Sequence, residues 1–363
     1  AQHVLLTQST WFKRHGYRVS VAFLYDKEDL RAEWTERHSV DIVDLKAWRP
    51  GAGGLSNLRQ LVCGCYRLFQ LMKRERFDVV ETFTHHANLL GLPIAWLAGV
   101  PKRIATHHGR PEMPSWLETL HSYLANTRIV TQVVVVSKHL REEASEVEHI
   151  RADKVSIILN GIPDHDATTD LRSAARRIRS ELAVPDTGHL ILSVGRLVPE
   201  KGHQYLIEAL PSVIEQFPDT IVAIAGDGPL REPLQRRINE LGLEEVALLL
   251  GTRSDVSSLL AAADLLAHPS VREGLPLAML EALSMGVAIV ASTFDGALGL
   301  LEHERTALLA PTRDSQAFSA ALVAGLASPQ LRRRLSRAGA ELTKRRFSMT
   351  AMCQSYDQLF RAT

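Results

Sequence analysis

Cysteine is scarce: Cys63, Cys65 and Cys353 are the only three among 363 residues. So small and odd a count excludes a disulfide framework and fits a reducing compartment. One Cys-x-Cys pair, inside a helix-like stretch, is too little for a zinc site, and both residues read as small buried apolar side chains. No apolar run reaches the ~18–20 residues of a membrane span; HANLLGLPIAWLAGVP is broken by Gly91 and Pro93. The first residues carry no charged-then-apolar leader, so a cytoplasmic protein is expected. There is no surplus of one charge either. The 42 basic and 41 acidic side chains leave +1, against the basic excess typical of nucleic-acid binders.

What is present is ordinary globular composition, 45% hydrophobic and 23% charged, in a chain long enough for two domains. Short β-branched or apolar runs alternate with longer amphipathic ones. HVLL from His3, YRVSVAF from Tyr17, VDIVDL from Val40, FDVVETF from Phe77, KRIATHH from Lys102, TQVVVVS from Thr131 and VSIILNG from Val155 read as strands. After the polar, turn-rich GIPDHDATTD the alternation restarts with LILSVG, TIVAIAG, VALLLG, DLLAHPS and VAIVAS. This is the pattern of two parallel sheets covered on both faces. Residues 1–163 are expected to form one domain and 164–347 the second. The tail is helical from about Ser328, and ligands are expected at the carboxyl ends of the strands, in a cleft between the domains. The ten residues between HVLL and Tyr17 are too few for a parallel crossover, although WFKRHG reads as a helix end. Missing residues are therefore expected there.

The chemistry-bearing stretch runs from Ser193 to Ser292. SVGRLVPEKGHQ places Arg196 just after a strand and Lys201 at a helix start, where a diphosphate would meet both cations and free N–H groups. A solvated surface pair is the bland alternative. In PSVREGLPLAMLEALSMG, Glu273 precedes a turn and Pro276 suits the first helical position. The N–H groups of Gly274, Leu275 and Leu277 are left for a ligand. Glu281 lies a turn and a half inside an otherwise apolar helix, placed to accept hydrogen bonds from a ribose; a capped or paired helix carboxylate is the alternative.

ILNGIP, GRLVPEKG, AGDGPL and ADLLAHPSVREGLPLAMLEALSMGVAIVAS, in this order, resemble the retaining GT-B glycosyltransferases of family 4. The resemblance covers about Val133 to Thr350. It implies a GT-B fold, two Rossmann-like α/β domains, with a C-terminal helix at about 348–363 returning to the first domain. It implies that Arg196 and Lys201 bind the donor diphosphate, Glu273 the sugar and Glu281 the ribose. Gly226 and Asp227 would line the nucleotide side, Arg253 and Ser254 would lie near the base, and Asn160 and Gly161 would mark a hinge. His108, in IATHHG, matches the family's strand-end histidine, near the sugar or acceptor. The family's Gly-rich loop after the first strand is not found after HVLLTQS, and GAGG at Gly51 is read as a turn.

The implied reaction moves a hexose from a UDP- or GDP-sugar to a glycan or glycolipid hydroxyl, with retention, in bacterial envelope polysaccharide synthesis. No carboxylate pair is arranged as in glycosidases. No Asp-x-Asp is placed to hold a metal, so no cofactor is expected beyond the nucleotide-sugar co-substrate. LSNLRQLVCGCYRLFQLMKRER, with Arg59, Arg67 and Lys73 and with Trp48 nearby, reads either as a solvated helix or as a basic face resting on an anionic membrane. A nucleotide-sugar epimerase of the same fold and a non-catalytic nucleotide-sugar sensor are the alternatives.

Overall fold

A computed structural model describes residues 2–26, 34–35, 40–108, 114–162, 170–273, 275–298 and 300–362. The chain divides into two compact units, residues 1–161 with 349–363 and residues 162–348.

The first unit holds α1 (Gln2–Arg14), β1 (Ser20–Phe23), β2 (Asp41–Asp44), α2 (Gly54–Glu75), β3 (Val79–Thr82), α3 (His85–Leu97), β4 (Lys102–His107), α4 (Ser115–Asn126), β5 (Gln132–Val135), α5 (Lys138–Glu146), β6 (Val155–Ile157) and the returning helix α14 (Met349–Arg361). All its strand pairs are parallel. β1 pairs with β2, and β3-β4-β5-β6 form a separate sheet in sequence order. Among the described residues β1 therefore has one unpaired edge, and so has β3. Ser20–Asp26 and Val79–Thr84 both line one cavity of about 640 Å³, with Leu5, Phe12, Leu68 and Met72. The returning helix packs in the same unit. Phe360 meets the Phe12 ring at 5.1 Å, and Tyr356 is buried beside Glu81. Glu81 accepts from Gln8 Nε2 and Thr106 Oγ1, both at 2.7 Å. Burial outweighs these bonds and pushes its pKa up to about 7.

One expectation fails here. HVLL is the start of α1, not a strand. Val4, Gln8, Ser9 and Phe12 form its buried face, spaced for a helix, and Gly16 at φ +85° ends it. Three apolar residues were too few to reveal a period. No crossover has to fit before Tyr17, so nothing need be missing between Leu6 and Tyr17. The Gly-rich loop was therefore sought after a segment that is not a strand.

The second unit runs α6 (Leu171–Glu181), β7 (His189–Val194), α7 (His203–Gln216), β8 (Thr220–Ala225), α8 (Arg231–Glu240), β9 (Ala247–Gly251), α9 (Val256–Ala262), β10 (Leu265–His268), α10 (Leu277–Ser284), β11 (Ala288–Ser292), α11 (Asp295–Leu298), β12 (Leu308–Ala310), α12 (Ser315–Ala327) and α13 (Pro329–Arg346). Its six parallel strands lie in the order β12-β11-β10-β7-β8-β9. Strand direction of growth reverses between β7 and β10, the switch point where open α/β sheets bind ligands. Every residue of β8, β10 and β11 is buried, which is why these strands read as unbroken apolar runs. Ile191, Val222, Leu265 and Val290 of the sheet pack with Leu206, Leu210, Phe318 and Leu322 of the helices.

Candidate functional site

Three loops meet at the carboxyl ends of β7, β8 and β10, and glycine lets their backbones touch. The loop after β7 is tied to the loop after β8 by Leu197 N–H donating to Asp227 O at 2.9 Å and Leu230 N–H to Leu197 O at 3.0 Å. It is tied to the loop after β10 by Val271 N–H donating to Glu200 O at 2.8 Å. At Gly226, φ +148°, a Cβ would lie 1.9 Å from Gly195 O; at Gly202, φ +64°, one would lie 2.1 Å from Pro269 O. No side chain fits at either position.

This backbone frame presents the charges. Arg196 is exposed just beyond β7, and Lys201 ends a 3₁₀ turn, Pro199–Lys201, before α7. Lys201 Nζ pairs with Glu273 Oε2 at 2.5 Å. Glu273 Oε1 takes a hydrogen bond from His268 Nε2 at 2.8 Å and another from Ser270 Oγ. Burial alone would raise the Glu273 pKa. His268 first and Lys201 second outweigh it and hold the carboxyl well below the usual range. Glu273 is thus a fixed, ionised acceptor. Behind it, burial, with His268 and Lys201, pushes His203 down to about 4; this neutral ring lies 3.4 Å from Ser193 Oγ.

α10 begins at Leu277 with Pro276 as its N-cap, so the proline sits one position outside the helix. Leu275 and Pro276 lead into it, and Gly274 lies outside the described residues. Met279, Leu280, Ala282 and Leu283 turn inward, which leaves Leu277, Ala278 and Glu281 on the opposite, half-buried face. Burial pushes Glu281 up to about 7.

The remaining predicted residues are more scattered. Gly226 and Asp227 follow β8, where Asp227 Oδ1 accepts from Gly228 N–H at 2.7 Å. Ser254 is exposed after the edge strand β9. Its neighbour Arg253 has its guanidinium committed to Asp255 at 2.8 Å and Glu181 at 2.6 Å; it ties the β9–α9 turn to α6. In the first unit His108 follows β4, stacked on Phe83 with ring centroids 5.7 Å apart, and burial pushes its pKa down to about 3. Asn160 and Gly161 are buried, and Gly161 N–H points at Met352 Sδ, 3.0 Å away.

Sequence reasoning missed His268, Ser270 and His203. The signal for the first two lay in HPSVREG, where His and Ser stand five and three positions before Glu273 at a strand end.

Comparison with known proteins fits this geometry. Residues 175–342 match the family described as glycosyl transferases group 1, and residues 1–166 match glycosyltransferase family 4. The UDP-Gal:alpha-D-GlcNAc-diphosphoundecaprenol alpha-1,3-galactosyltransferase of Escherichia coli is 31% identical over 272 residues, covering 70% of this chain and 68% of that protein. A lipopolysaccharide core biosynthesis glycosyltransferase, LpsD of Rhizobium meliloti, is 31% identical over 53% of this chain and 55% of its own length. The chain thus spans about half to two thirds of such curated relatives. Among solved structures, HepE of Anabaena in complex with UDP and glucose superposes with a TM-score of 0.85 over 99% of this chain and 95% of its own, at 23% identity. At that identity the likeness speaks for the fold.

Proposed function

Because the chain belongs to the group 1, family 4 glycosyltransferases of GT-B fold, we propose that it moves a hexose from a UDP- or GDP-sugar to a hydroxyl of a glycan or lipid-linked glycan. The observation that carries this reading is the Lys201–Glu273–His268 cluster at the β7/β10 switch point. It sets a cation and a fixed carboxylate side by side, as a sugar joined to a diphosphate requires. UDP is favoured as the carrier by the name of the E. coli relative and by the nucleotide bound to HepE.

In this reading Lys201 and Arg196 take the diphosphate, helped by the start of α10. Glu273 accepts hydrogen bonds from sugar hydroxyls, its orientation fixed by His268 and Ser270. Glu281 accepts from the ribose, and Gly226 leaves room beside the nucleotide. Arg253 and Ser254 would border the base, Arg253 through the turn it braces. The anomeric carbon–oxygen bond to the diphosphate breaks while the acceptor oxygen bonds to the same face. The departing phosphate oxygen takes the acceptor's proton, so configuration is retained. The protein's contribution is electrostatic stabilisation of the leaving group, and the step needs no metal. His108 is assigned to the acceptor side, and Asn160 and Gly161 to a hinge.

The acceptor reading draws on α2. Leu55, Leu58, Val62 and Tyr66 are all exposed, Leu55 at 89%, at helical spacing along one face. Arg59 and Lys73 lie on the same helix. Such a face suits the surface of an anionic membrane holding a lipid-linked acceptor.

The test is turnover of UDP-, GDP- and ADP-hexoses without acceptor, read as released nucleoside diphosphate. One donor should hydrolyse slowly, and Lys201→Ala or Glu273→Ala should lower that rate by about 10²–10³. Absence of both turnover and saturable binding for every donor overturns the assignment.

A further inference from the structure

The first unit contains a cluster that the transferase reading does not use. His85 is the first residue of α3, His107 the last of β4, and His121 lies within α4. All three are buried, with relative exposures of 9%, 2% and 4%. Their ring centroids form a nearly equilateral triangle with sides of 4.8, 4.9 and 5.0 Å. One ring nitrogen from each lies within 4.8 Å of the other two. The Nε2 atoms of His85 and His107 are fully buried and have no hydrogen-bond partner among the described residues.

Two such orphans in one pocket need a physical reason, since each costs about 1–3 kcal/mol. Imidazole nitrogens gathered in one buried pocket, two of them without a hydrogen-bond partner, are metal ligands in waiting.

A further group has the position of an outer partner. The Glu148 carboxylate faces His107 Nδ1 at 3.9 Å and His121 Nδ1 at 3.5 Å. A carboxylate behind the far nitrogen of a ligating histidine fixes its tautomer and raises its basicity.

We propose that His85, His107 and His121 bind a zinc ion through their Nε2 atoms, with Glu148 as the outer carboxylate. Three imidazoles with no thiolate suit Zn²⁺ or Co²⁺, with water at the fourth position. Tetrahedral zinc with Zn–N of about 2.0–2.1 Å requires nitrogens about 3.4 Å apart. The rings therefore close inward by about 1 Å. The Asn88 amide, whose Nδ2 now lies 3.1 Å from His121 Nε2, turns aside while Thr82 Oγ1 continues to hold its Oδ1. The ion would pin α3, β4 and α4 together and fix the strand end that leads into His108. The site belongs wholly to the first unit, whereas Arg196, Lys201, Glu273 and Glu281 belong to the second. The proposal therefore stands or falls independently of the transferase reading.

The test uses the full chain, stripped with a chelator and dialysed. Titration with Co²⁺ should give one equivalent per chain, with the visible absorption of tetrahedral cobalt, displaced by one equivalent of Zn²⁺. His85→Asn and His121→Gln should weaken binding at least about 100-fold, and Glu148→Gln about 10–100-fold. His86→Ala, an exposed neighbour, should leave it unchanged. Zinc should raise the Tm of the wild type and of the His86 variant, and leave that of His85→Asn and His121→Gln unchanged. Wild-type protein that takes up no stoichiometric metal, or variants that bind as tightly as wild type, would overturn the site. The wild-type titration decides the question even if a histidine variant fails to fold.

Discussion

Glu281 shows how a single side chain carries a cost that packing does not explain. It sits in an apolar helix, where burial lifts its pKa from 4.5 to about 7. A raised carboxyl pKa contributes stability that is intact below the unfolded value and lost as pH rises through the folded one. Glu281→Gln, neutral throughout, should therefore match wild type near pH 4 and exceed it by about 2–3 kcal/mol at pH 8. Chemical denaturation at the two pH values checks this; equal gains at both would remove burial as the cause. The same variant should bind nucleotide more weakly at pH 8, because a ribose hydroxyl donates best to an ionised acceptor. A stability cost of this kind is what the proposed ribose contact would explain.

At the scale of elements, the strand–helix alternation was legible because strands buried on both faces leave unbroken apolar runs, as in TIVAIAG and DLLAHPS. HVLL misled because a histidine and three apolar residues fit a strand or the first turn of a helix equally well. Leu308–Ala310, three residues long, was too short to be noticed. In the candidate site, Lys201 and Glu273 could be read because a cation and an acid stand at strand ends. His268 was missed although it stands five positions before Glu273, since its role depends on the loop folding back from that residue. The buried histidines stand at positions 85, 107 and 121, spacing that no local motif reveals, and only the sheet gathers them.

Nor was the glycine frame visible, because it rests on carbonyls remote in sequence. Gly226→Ala sets a methyl 1.9 Å from Gly195 O. It should destabilise the second unit by about 2–4 kcal/mol and abolish nucleotide binding. Calorimetry with and without UDP measures both effects. A fully stable variant would show that the loops tolerate separation.

At the scale of the whole molecule, the exposed apolar face of α2 is the surface proposed to meet a membrane, and Leu58→Glu with Tyr66→Glu should lower binding to anionic vesicles at least tenfold without changing Tm. Cosedimentation with vesicles containing phosphatidylglycerol measures it; unchanged binding would leave α2 as a solvated helix. No helix among the described residues is long and apolar enough to cross a membrane, so contact through α2 would be with the surface.

Among the described residues β1 and β3 each leave one edge unpaired, which has a consequence for handling the protein. Each edge offers a row of amide and carbonyl groups to one shared cavity with Leu5, Phe12, Leu68 and Met72 in its walls. Such edges are templates for any extended chain that reaches them. Concentrated solutions of this 363-residue chain should therefore self-associate strand to edge, and light scattering should rise with concentration in its unsubstituted form. Ala22→Lys, which puts a charge on an exposed position of β1, should keep the same solution clear.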